Sequence, residues 1–467
     1  MAAPILAAPA ARAYSDHVNP QWVRLLDLLQ MNVVYERCSG TELFTSNGRR
    51  ILDFLSGYCV HNAGHNHPAI VAALKKELDR CGPAMLQSHV PQLAGELAQR
   101  LCALAGGRLR RAFFTNSGSE GVEAAIKFAR AYTGREGMLY AKGAFHGLTC
   151  GALSLMNDRH WRDSFGELLP GTHGIEFGDL EALEAALKTR RFAAFLAEPV
   201  QSEGGVRVPG ATYLLGAQHL CRRYGTLFAV DEVQTGMFRT GPFLAAHHFG
   251  LDPDMVVLAK ALSGGLVPIG ALLMTKAISD SVFNSLKRAF VHASTFGENG
   301  LAMRAGLATL DVLEDERLGW NATRMGEVLR TKLREALADL ELVEEVRGIG
   351  MLNGIAFRAP DQLRLRIPYE AFRRVHPAMF GQVLVMRLFR DFNILTQVCG
   401  NSFQVLKAAP PLSITEPEID EFVLAVRQVV ETAHHPGEFW SEALGMARRA
   451  MMRDNDSGTP HEREGRL

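Results

Sequence analysis

The sequence lacks the features that would place it in a membrane or on nucleic acid. No stretch approaches the roughly 18 consecutive uncharged apolar residues that a transmembrane helix needs. Its 50 Lys and Arg residues are matched by 50 Asp and Glu residues, so no net positive charge is present to attract a phosphate backbone or an anionic lipid surface. We therefore expect neither nucleic acid nor a membrane among its partners.

Closely spaced cysteines, repeats and low-complexity tracts are also missing. The seven cysteines suggest neither a zinc site nor a disulfide framework, so we predict no metal site; they are Cys38, Cys59, Cys81, Cys102, Cys150, Cys221 and Cys399. The N-terminal segment MAAPILAAPAARAY lacks the basic residues of an export signal, and Pro4 and Pro9 interrupt it. A cytoplasmic location fits these observations best.

The sequence does contain short apolar runs that alternate with helical patterns between Arg110 and Met274. The runs are RAFF, GMLYA, FAAFLAEPV, TLFAVDEV, MVVLAKAL and IGALLM, and the first helical pattern covers Ser119 to Ala131. This alternation predicts an α/β fold, in which helices cover both faces of a mostly parallel sheet. Ligands of such sheets bind beyond the carboxyl ends of the strands, so the residues that follow each run are the candidates for a site.

A second, smaller α+β domain is predicted after Leu301. Helical periodicity covers Leu301–Leu313 and Thr323–Leu340, MLNGIAF predicts a strand, and Glu416–Ala433 predicts a further helix. The early stretch ELFTSNGRRILDFLSG predicts a hairpin with Asn47–Gly48 at its turn, which could join either domain. The predicted boundaries are 1–20 for an N-terminal arm, 21–75 and 306–450 for the two parts of the small domain, 76–305 for the large domain, and 451–467 for a disordered tail.

Small and aromatic residues follow the first two predicted strands. Ser117, Gly118 and Ser119 begin a helix whose first N–H groups have no partner within the helix, and small residues let a phosphate approach them. Phe145 and His146 follow GMLYA and offer an aromatic plane and a polar ring. Each feature alone has an ordinary explanation, a helix cap in the first case and loop packing in the second.

The next three predicted strands are followed mainly by charged and polar residues. These are Glu198 and Glu203 after the first, Asp231 and Gln234, with Val233 between them, after the second, and Lys260 after the third. An unpaired carboxylate at the end of a buried strand costs several kcal/mol, so Asp231 requires a positive partner. Lys260 directly follows a run of apolar side chains. Because desolvation disfavours the charged ammonium, Lys260 is a candidate for a lowered pKa and for amine chemistry.

One ligand would satisfy these residues together, namely pyridoxal 5'-phosphate. Its phosphate suits the helix start, and its ring would stack between Phe145 and Val233. Its aldehyde would form a Schiff base with Lys260, and its protonated pyridine nitrogen would be the positive partner of Asp231. Asp231 would keep the ring an electron sink while Lys260 moves a proton on the substrate.

These motifs resemble those of the class III, ornithine aminotransferase-like group of fold-type I pyridoxal-phosphate enzymes, over about Leu43 to Val429. They occur in the family's order: NSGSEGVEAAIKFAR, FHG, EPVQSEGG, DEVQTGMFRTG, LAKALSGG, HASTFGENGLA, RGIGML and APPLSIT. The resemblance implies that Lys260 and Asp231 are catalytic and that Gln234 lies near the phenolic oxygen of the cofactor. It assigns the two faces of the cofactor ring to Phe145 and Val233, and the phosphate loop to Ser117–Ser119. It also places His146 among the cofactor-binding residues.

The resemblance also implies an assembly. Thr295 resembles the threonine that reaches the phosphate bound in the other subunit. That role implies an obligate homodimer whose active sites lie at the interface.

Three positions depart from the family's pattern. Ser202 replaces the glycine of EPxQGEGG, and Gly297 to Gly300 read GENG instead of GGNP; neither is expected to touch a catalytic group. Lys407 occupies the position of an arginine that binds the substrate carboxylate in members acting on α-amino acids. Lys offers a point charge instead of a planar fork, so carboxylate binding should be weaker or differently placed. Lys407 could pair with Glu203, which resembles a glutamate that swings aside for 2-oxoglutarate, or it could point to solvent.

The resemblance implies an aminotransferase, or transaminase, and leaves its substrate open. We expect a primary terminal amine, such as a diamine or another ω-amine, to be the donor and 2-oxoglutarate or pyruvate to be the acceptor in a ping-pong reaction. The alternatives are an acetylornithine or ornithine type enzyme, an aminomutase or racemase, and a cofactor-binding protein without turnover. Tyr58, Trp161 and Met85 are candidates to shape the pocket, although packing explains each equally well.

Overall fold

The computed structural model describes residues 9–446 except 87, 376, 436 and 443. The predicted tail at 451–467 and residues 1–8 of the predicted arm lie outside this part of the chain. No helix in the described part is long and apolar enough to cross a membrane.

The N-terminal part of the chain forms a small antiparallel sheet with helices beside it. Its elements are α1 (Pro9–His17), α2 (Pro20–Leu28), β1 (Tyr35–Ser39), β2 (Glu42–Thr45), β3 (Arg50–Asp53), α3 (Ser56–Cys59), α4 (Pro68–Asp79) and α5 (Gln92–Ala105). β2 and β3 pair antiparallel, and Gly48 in their turn has a φ of 80°, which confirms the predicted hairpin. β3 also pairs in parallel with Ile394–Leu395, so the hairpin shares a sheet with the C-terminal part of the chain.

A seven-stranded sheet lies at the centre of the fold. Its strands are β4 (Leu109–Thr115), β5 (Gly137–Ala141), β6 (Thr172–Ile175), β7 (Phe192–Ala197), β8 (Leu227–Asp231), β9 (Met255–Leu258) and β10 (Gly270–Thr275), in the spatial order β4-β10-β9-β8-β7-β5-β6. β10 is antiparallel to both of its neighbours, and the remaining pairs are parallel. This confirms the predicted mostly parallel sheet.

Helices cover both faces of this sheet. They are α6 (Gly118–Thr133), α7 (Cys150–Ser154), α8 (Arg159–Arg162), α9 (Leu180–Lys188), α10 (Tyr213–Tyr224) and α11 (Lys276–Val282), with short 3-10 helices at Ala245–Phe249, Lys260–Ser263 and Leu286–Arg288. Successive residues of a strand point to opposite faces, so Phe228 and Ala229 belong to two different hydrophobic clusters. The central strands are therefore apolar along their whole length, and only their ends can present polar groups.

The C-terminal part adds a second antiparallel sheet and long helices. The elements are α12 (Gly300–Asp315), α13 (Leu318–Leu337), β11 (Val343–Ile349), β12 (Leu352–Phe357), α14 (Leu363–Val375), α15 (Met379–Phe392), β13 (Ile394–Leu395), β14 (Gln397–Cys399), β15 (Ser402–Ala408) and α16 (Glu416–Ala433), and the sheet order is β11-β12-β15-β14. A capping box between Thr415 and Glu418 begins α16 where the sequence predicts it. The helix predicted over Thr323–Leu340 begins earlier, since Leu318 is already buried on its inner face, and it ends at Leu337. The domain boundaries stay predictions.

Candidate active site

The strand ends bring the predicted cofactor residues around one cavity of about 470 Å³. Eight of these residues line it: Ser117, Gly118, Ser119, Phe145, His146, Asp231, Val233 and Lys260. They come from the segments that follow β4, β5, β8 and β9, which are neighbouring or nearby strands of the central sheet. The predicted location beyond the strand ends therefore agrees with the structure.

Asp231 ends β8 and is held by two neighbours inside the protein. One carboxylate oxygen lies 2.8 Å from His146 Nδ1, and the other accepts a hydrogen bond of 3.0 Å from the backbone N–H of Val233. Asp231 and His146 are both buried. No described residue lies within hydrogen-bond distance of His146 Nε2, although this atom is buried as well. The acid is thus fixed in place with its neighbours at the edge of the cavity.

Lys260 follows β9 in a strained backbone conformation. Its φ is 47°, in the left-handed region that side chains other than glycine rarely adopt. Burial lowers the pKa of its ammonium, and the charge of Asp231 opposes that shift. The result is an amine that loses its proton more readily than a surface lysine, directed into the same cavity as Asp231.

The helix start at Ser117 combines a cap with a cradle of small residues. Ser117 Oγ accepts a hydrogen bond of 3.2 Å from the N–H of Glu120, so the ordinary explanation as an N-cap of α6 holds. A Cβ added at Gly118 would lie 2.8 Å from Val233 Cγ2, and one at Gly147 would lie 2.1 Å from Ser119 Oγ. Only hydrogen fits at these two positions, which leaves the backbone N–H groups of the helix start accessible to an anion.

The loop that contains Phe145 is held by side chains from both halves of the chain. Glu198 accepts a hydrogen bond of 3.0 Å from the N–H of Phe145. Asn401, at the turn between β14 and β15, donates to the carbonyl oxygens of Gly143 and Ala144 at 3.1 and 3.0 Å. Asn401 could not be predicted from the sequence, since it lies more than 250 positions from its partners and no local pattern marks it.

Trp161 lies beside this loop, as the sequence analysis allowed. Its ring meets the Phe145 ring edge to face at a centroid distance of 5.3 Å, and its Nε1 donates to Asn401 Oδ1 at 2.7 Å. Met85, which is also predicted as a candidate to shape the pocket, lines a different cavity of about 720 Å³. Trp161 is therefore in contact with the predicted cofactor residue Phe145, whereas Met85 borders a different cavity.

Two buried acidic residues follow β7: Glu198 directly after the strand and Glu203 in the turn beyond it. Burial, with the charge of Asp231 adding to it, raises the pKa of Glu198 well above its usual range. Glu203 is different, because it pairs with Lys407. Burial raises the pKa of Glu203, but Lys407 and the donors around the carboxylate outweigh that effect and lower it. Burial thus favours the protonated form of Glu198, whereas Lys407 favours the ionised form of Glu203.

Lys407 does not point to solvent. Its side chain is completely buried and its ammonium donates to Glu203 Oε1. Burial lowers the pKa of this ammonium, but the charge of Glu203 outweighs it, so the net shift is upward. The ring of Tyr58 lies 5.2 Å from Lys407 Nζ and is itself partly exposed. Tyr58 belongs to a turn, Ser56–Cys59, in which four successive residues have positive φ values of 46–67°.

Two of the predicted cofactor residues do not line the cavity. Gln234 is buried and forms hydrogen bonds with Glu203 and Ser202 instead. Ser202 is the departure from the family's pattern that is expected to touch no catalytic group. Thr295 is exposed, in the segment that precedes α12. The roles of all these residues toward a cofactor stay predictions.

The residues present fit pyridoxal phosphate. A buried carboxylate suits the pyridine nitrogen, an amine of lowered pKa suits the aldehyde, and the glycine-lined helix start suits the phosphate. Fold and site together define a pyridoxal-phosphate enzyme. The aminotransferase class-III family model matches residues 27–430, and the chain belongs to the class III aminotransferases.

Named relatives give the same family. The chain is 37% identical over 449 residues to aminotransferase PigE of Serratia sp., across 90% of this chain and 53% of PigE, so it spans about half the length of that relative. It is 36% identical over 432 residues to the putrescine aminotransferase of Pectobacterium atrosepticum, across 90% of this chain and 87% of the relative. The crystal structure of an amine transaminase from an uncultivated Pseudomonas species, in its PLP-bound form, is similar with a TM-score of 0.76 and 29% identity, across 86% of this chain and 95% of that chain.

Proposed function

We propose that this class III aminotransferase moves the terminal amino group of a diamine or another ω-amine to a 2-oxo acid, such as 2-oxoglutarate or pyruvate, by a ping-pong mechanism. The observation that carries this proposal is the buried ion pair between Lys407 and Glu203. It concerns the position at which relatives that act on α-amino acids keep an arginine for the substrate carboxylate.

The ion pair disfavours donors with a carboxylate next to the reacting carbon. Lys407 is completely buried, and its charge is already neutralised by Glu203. An α-carboxylate could reach Lys407 only if Glu203 moved away, which would leave a buried carboxylate without its cation. A terminal amine brings no carboxylate to this place, so it can react while the pair stays closed.

The chain's own groups have separate tasks in this reaction. Bound pyridoxal phosphate supplies a ring that withdraws electrons from the carbon bearing the amine. Lys260 removes and returns the proton on that carbon, for which a pKa lowered by burial is favourable. Asp231 would hold a proton on the ring nitrogen of the bound cofactor, and His146 fixes the orientation of the Asp231 carboxylate.

Two relatives support the choice of donor. The putrescine aminotransferase of Pectobacterium atrosepticum is named for a diamine, and the Pseudomonas enzyme is named an amine transaminase. Both names refer to donors that have no α-carboxylate. We extend that property to this chain because the buried Lys407 gives an independent reason for it.

A homodimer belongs to the same proposal. The segment around Thr295 exposes several large apolar side chains, among them Leu286 (96% exposed), Phe290 (70%) and Phe296 (61%). A surface of this kind marks an interaction site in most proteins. Pairing with a second copy would cover it and bring Thr295 to the neighbouring site, and we propose a cytoplasmic location for the dimer. Analytical ultracentrifugation would contradict this part of the proposal if it showed a monomer at micromolar concentration.

Two isomeric donors test the substrate class. 6-Aminohexanoate and norleucine have the same composition, but only norleucine has its amine next to the carboxylate. Each is mixed with the enzyme loaded with cofactor, and the conversion of the cofactor to its amine form is followed by visible absorbance, with putrescine and acetylornithine in parallel. We expect 6-aminohexanoate and putrescine to react at least about tenfold faster than norleucine, a difference of about 1.4 kcal/mol. Faster reaction of norleucine would refute the proposed donor class. Faster reaction of acetylornithine than of putrescine would favour the acetylornithine alternative, because its free amine is also terminal.

A further inference from the structure

Glu203 is held by more partners than Lys407 alone. Its Oε1 also accepts a hydrogen bond of 3.1 Å from Gln234 Nε2, and its Oε2 accepts one of 2.7 Å from the backbone N–H of Gly400. The backbone carbonyl of Glu203 accepts a further bond of 2.9 Å from the N–H of Asn401. Moving the carboxylate away from Lys407 therefore means breaking bonds to an amide side chain and to a backbone group as well.

Ser202 holds the oxygen end of the Gln234 amide. Its hydroxyl donates to Gln234 Oε1 at 2.9 Å, and Ser202 and Gln234 are both buried. Because the Glu203 carboxylate can only accept, the NH₂ end of the amide faces it, and the oxygen end accepts from the Ser202 hydroxyl. The family's residue at position 202 is glycine, which has no hydroxyl to give this contact. The contact thus arises from a departure of this chain and not from the shared motif.

We propose that Ser202 is a specificity-determining residue that acts through Gln234 to keep Glu203 on Lys407. This inference rests on the proposed function and refines it. The donor half-reaction proceeds with the pair closed, whereas the 2-oxo acid brings a carboxylate that requires the pair to open. Ser202 therefore makes carboxylate binding weaker without affecting an amine donor.

The competing explanation is that Ser202 only fills space in the core. In that case its loss would lower stability and reduce both half-reactions alike. The two explanations differ in which substrate responds, so a comparison of substrates separates them.

Ser202→Ala removes the hydroxyl and retains the Cβ. One net hydrogen bond corresponds to roughly a 3–10-fold change in an equilibrium. We expect the KM for 2-oxoglutarate to fall about 3–10-fold and kcat/KM for putrescine to stay within about twofold of wild type. Ser202→Thr keeps the hydroxyl and should restore the wild-type KM.

A binding measurement gives a second readout that does not depend on turnover. Glutarate has the two carboxylates of 2-oxoglutarate but no keto group, and its affinity for the loaded enzyme can be followed by the visible absorbance of the cofactor. We expect tighter glutarate binding in Ser202→Ala and in Ser202→Gly. Ser154→Ala is the matched control, because Ser154 is equally buried and its hydroxyl donates to Gly151 O within its own helix.

Failure of the inference is distinguishable from failure of the proposed function. If wild type converts putrescine well but Ser202→Ala leaves glutarate affinity and the KM for 2-oxoglutarate unchanged, Ser202 has no part in specificity. The same conclusion follows if both half-reactions decline together with the melting temperature. If wild type does not convert terminal amines, the proposed donor class fails, whatever the Ser202 variants do.

Discussion

Lys407 and Glu203 form an ion pair whose side chains are 0% and 7% exposed. Glu203 lies in the turn after β7 of the central sheet, and Lys407 lies in β15 of the C-terminal sheet. The pair therefore connects the two sheets, and we propose that it affects substrate choice as well as stability.

Removing one partner of this ion pair should destabilise the fold. Lys407→Met leaves a buried carboxylate without its cation, and Glu203→Gln leaves a buried ammonium, so each should lower the free energy of unfolding by about 3–5 kcal/mol. The double variant should lose much less than the sum of the two, since neither charge remains. Denaturant unfolding of the four proteins measures this coupling.

An exposed pair provides the comparison. Lys276 and Asp280 form an ion pair on the surface of α11, with side chains 63% and 49% exposed. Lys276→Met should change stability by less than about 1 kcal/mol. Additive effects at Lys407 and Glu203, or single losses no larger than that of Lys276→Met, would contradict the assignment of a strong buried pair.

Much of the fold follows from local pattern. The apolar runs that became β5, β7, β8 and β9 are buried along their whole length, which is why composition alone marks them. β6 has no such run, because it is an edge strand with a mixed burial pattern, and it was not predicted. The antiparallel direction of β10 leaves no trace in its composition either, since a buried strand is apolar whichever way it runs.

The residues around the cavity also include some that local sequence predicts and some that it does not. Asp231 and Lys260 could be predicted because a charge directly after an apolar run is costly unless it has a function. Asn401 and Ser202 could not, because each acts through a polar contact that exists only after distant segments have packed. The sequence showed Ser202 as a departure from the family, but its contact with Gln234 is visible only in three dimensions.

Gly118→Ala should weaken cofactor binding. The new Cβ would lie 2.8 and 3.0 Å from the two methyl groups of Val233, so the helix start or the ring face must shift. Overpacking of this kind costs about 1–3 kcal/mol, a factor of roughly 5–150 in the Kd for pyridoxal phosphate. Titration of cofactor-free protein, followed by visible absorbance, gives this constant.

Gly95→Ala is the control for that substitution. Gly95 is exposed in α5, and a Cβ there meets nothing within 4 Å. The change should leave the Kd unchanged and stabilise the fold by about 0.5–1 kcal/mol, because alanine is the better helix former. Equal cofactor affinity in the two variants would show that Gly118 is not part of the cradle.

His61 should make the fold less stable in acid. Burial, with the neighbouring His65 adding to it, lowers the pKa of His61 from 6.5 to about 4, against opposing effects from Asp53 and Gly264. Between these pH values the unfolded chain binds more protons than the folded one, so stability falls as the pH falls from 6.5 to 4. The slope attributable to His61 is at most about 1.4 kcal/mol per pH unit.

His61→Gln should flatten this part of the profile. The difference in unfolding free energy between wild type and variant is measured from pH 7 to pH 4.5, and it should change steadily in favour of the variant as the pH falls. His219→Gln is the control, because His219 is exposed on α10. A difference that stays constant with pH would show that His61 does not titrate as described.

Lys260 is the residue that we propose binds the cofactor covalently and serves as the base. The most direct test is to reduce the loaded enzyme with borohydride, digest it and locate the phosphopyridoxyl group by mass spectrometry. The account predicts one labelled peptide, with the group on Lys260, and no label in Lys260→Ala, which should also lose transamination. A label on another lysine, or transamination retained in Lys260→Ala, would contradict it.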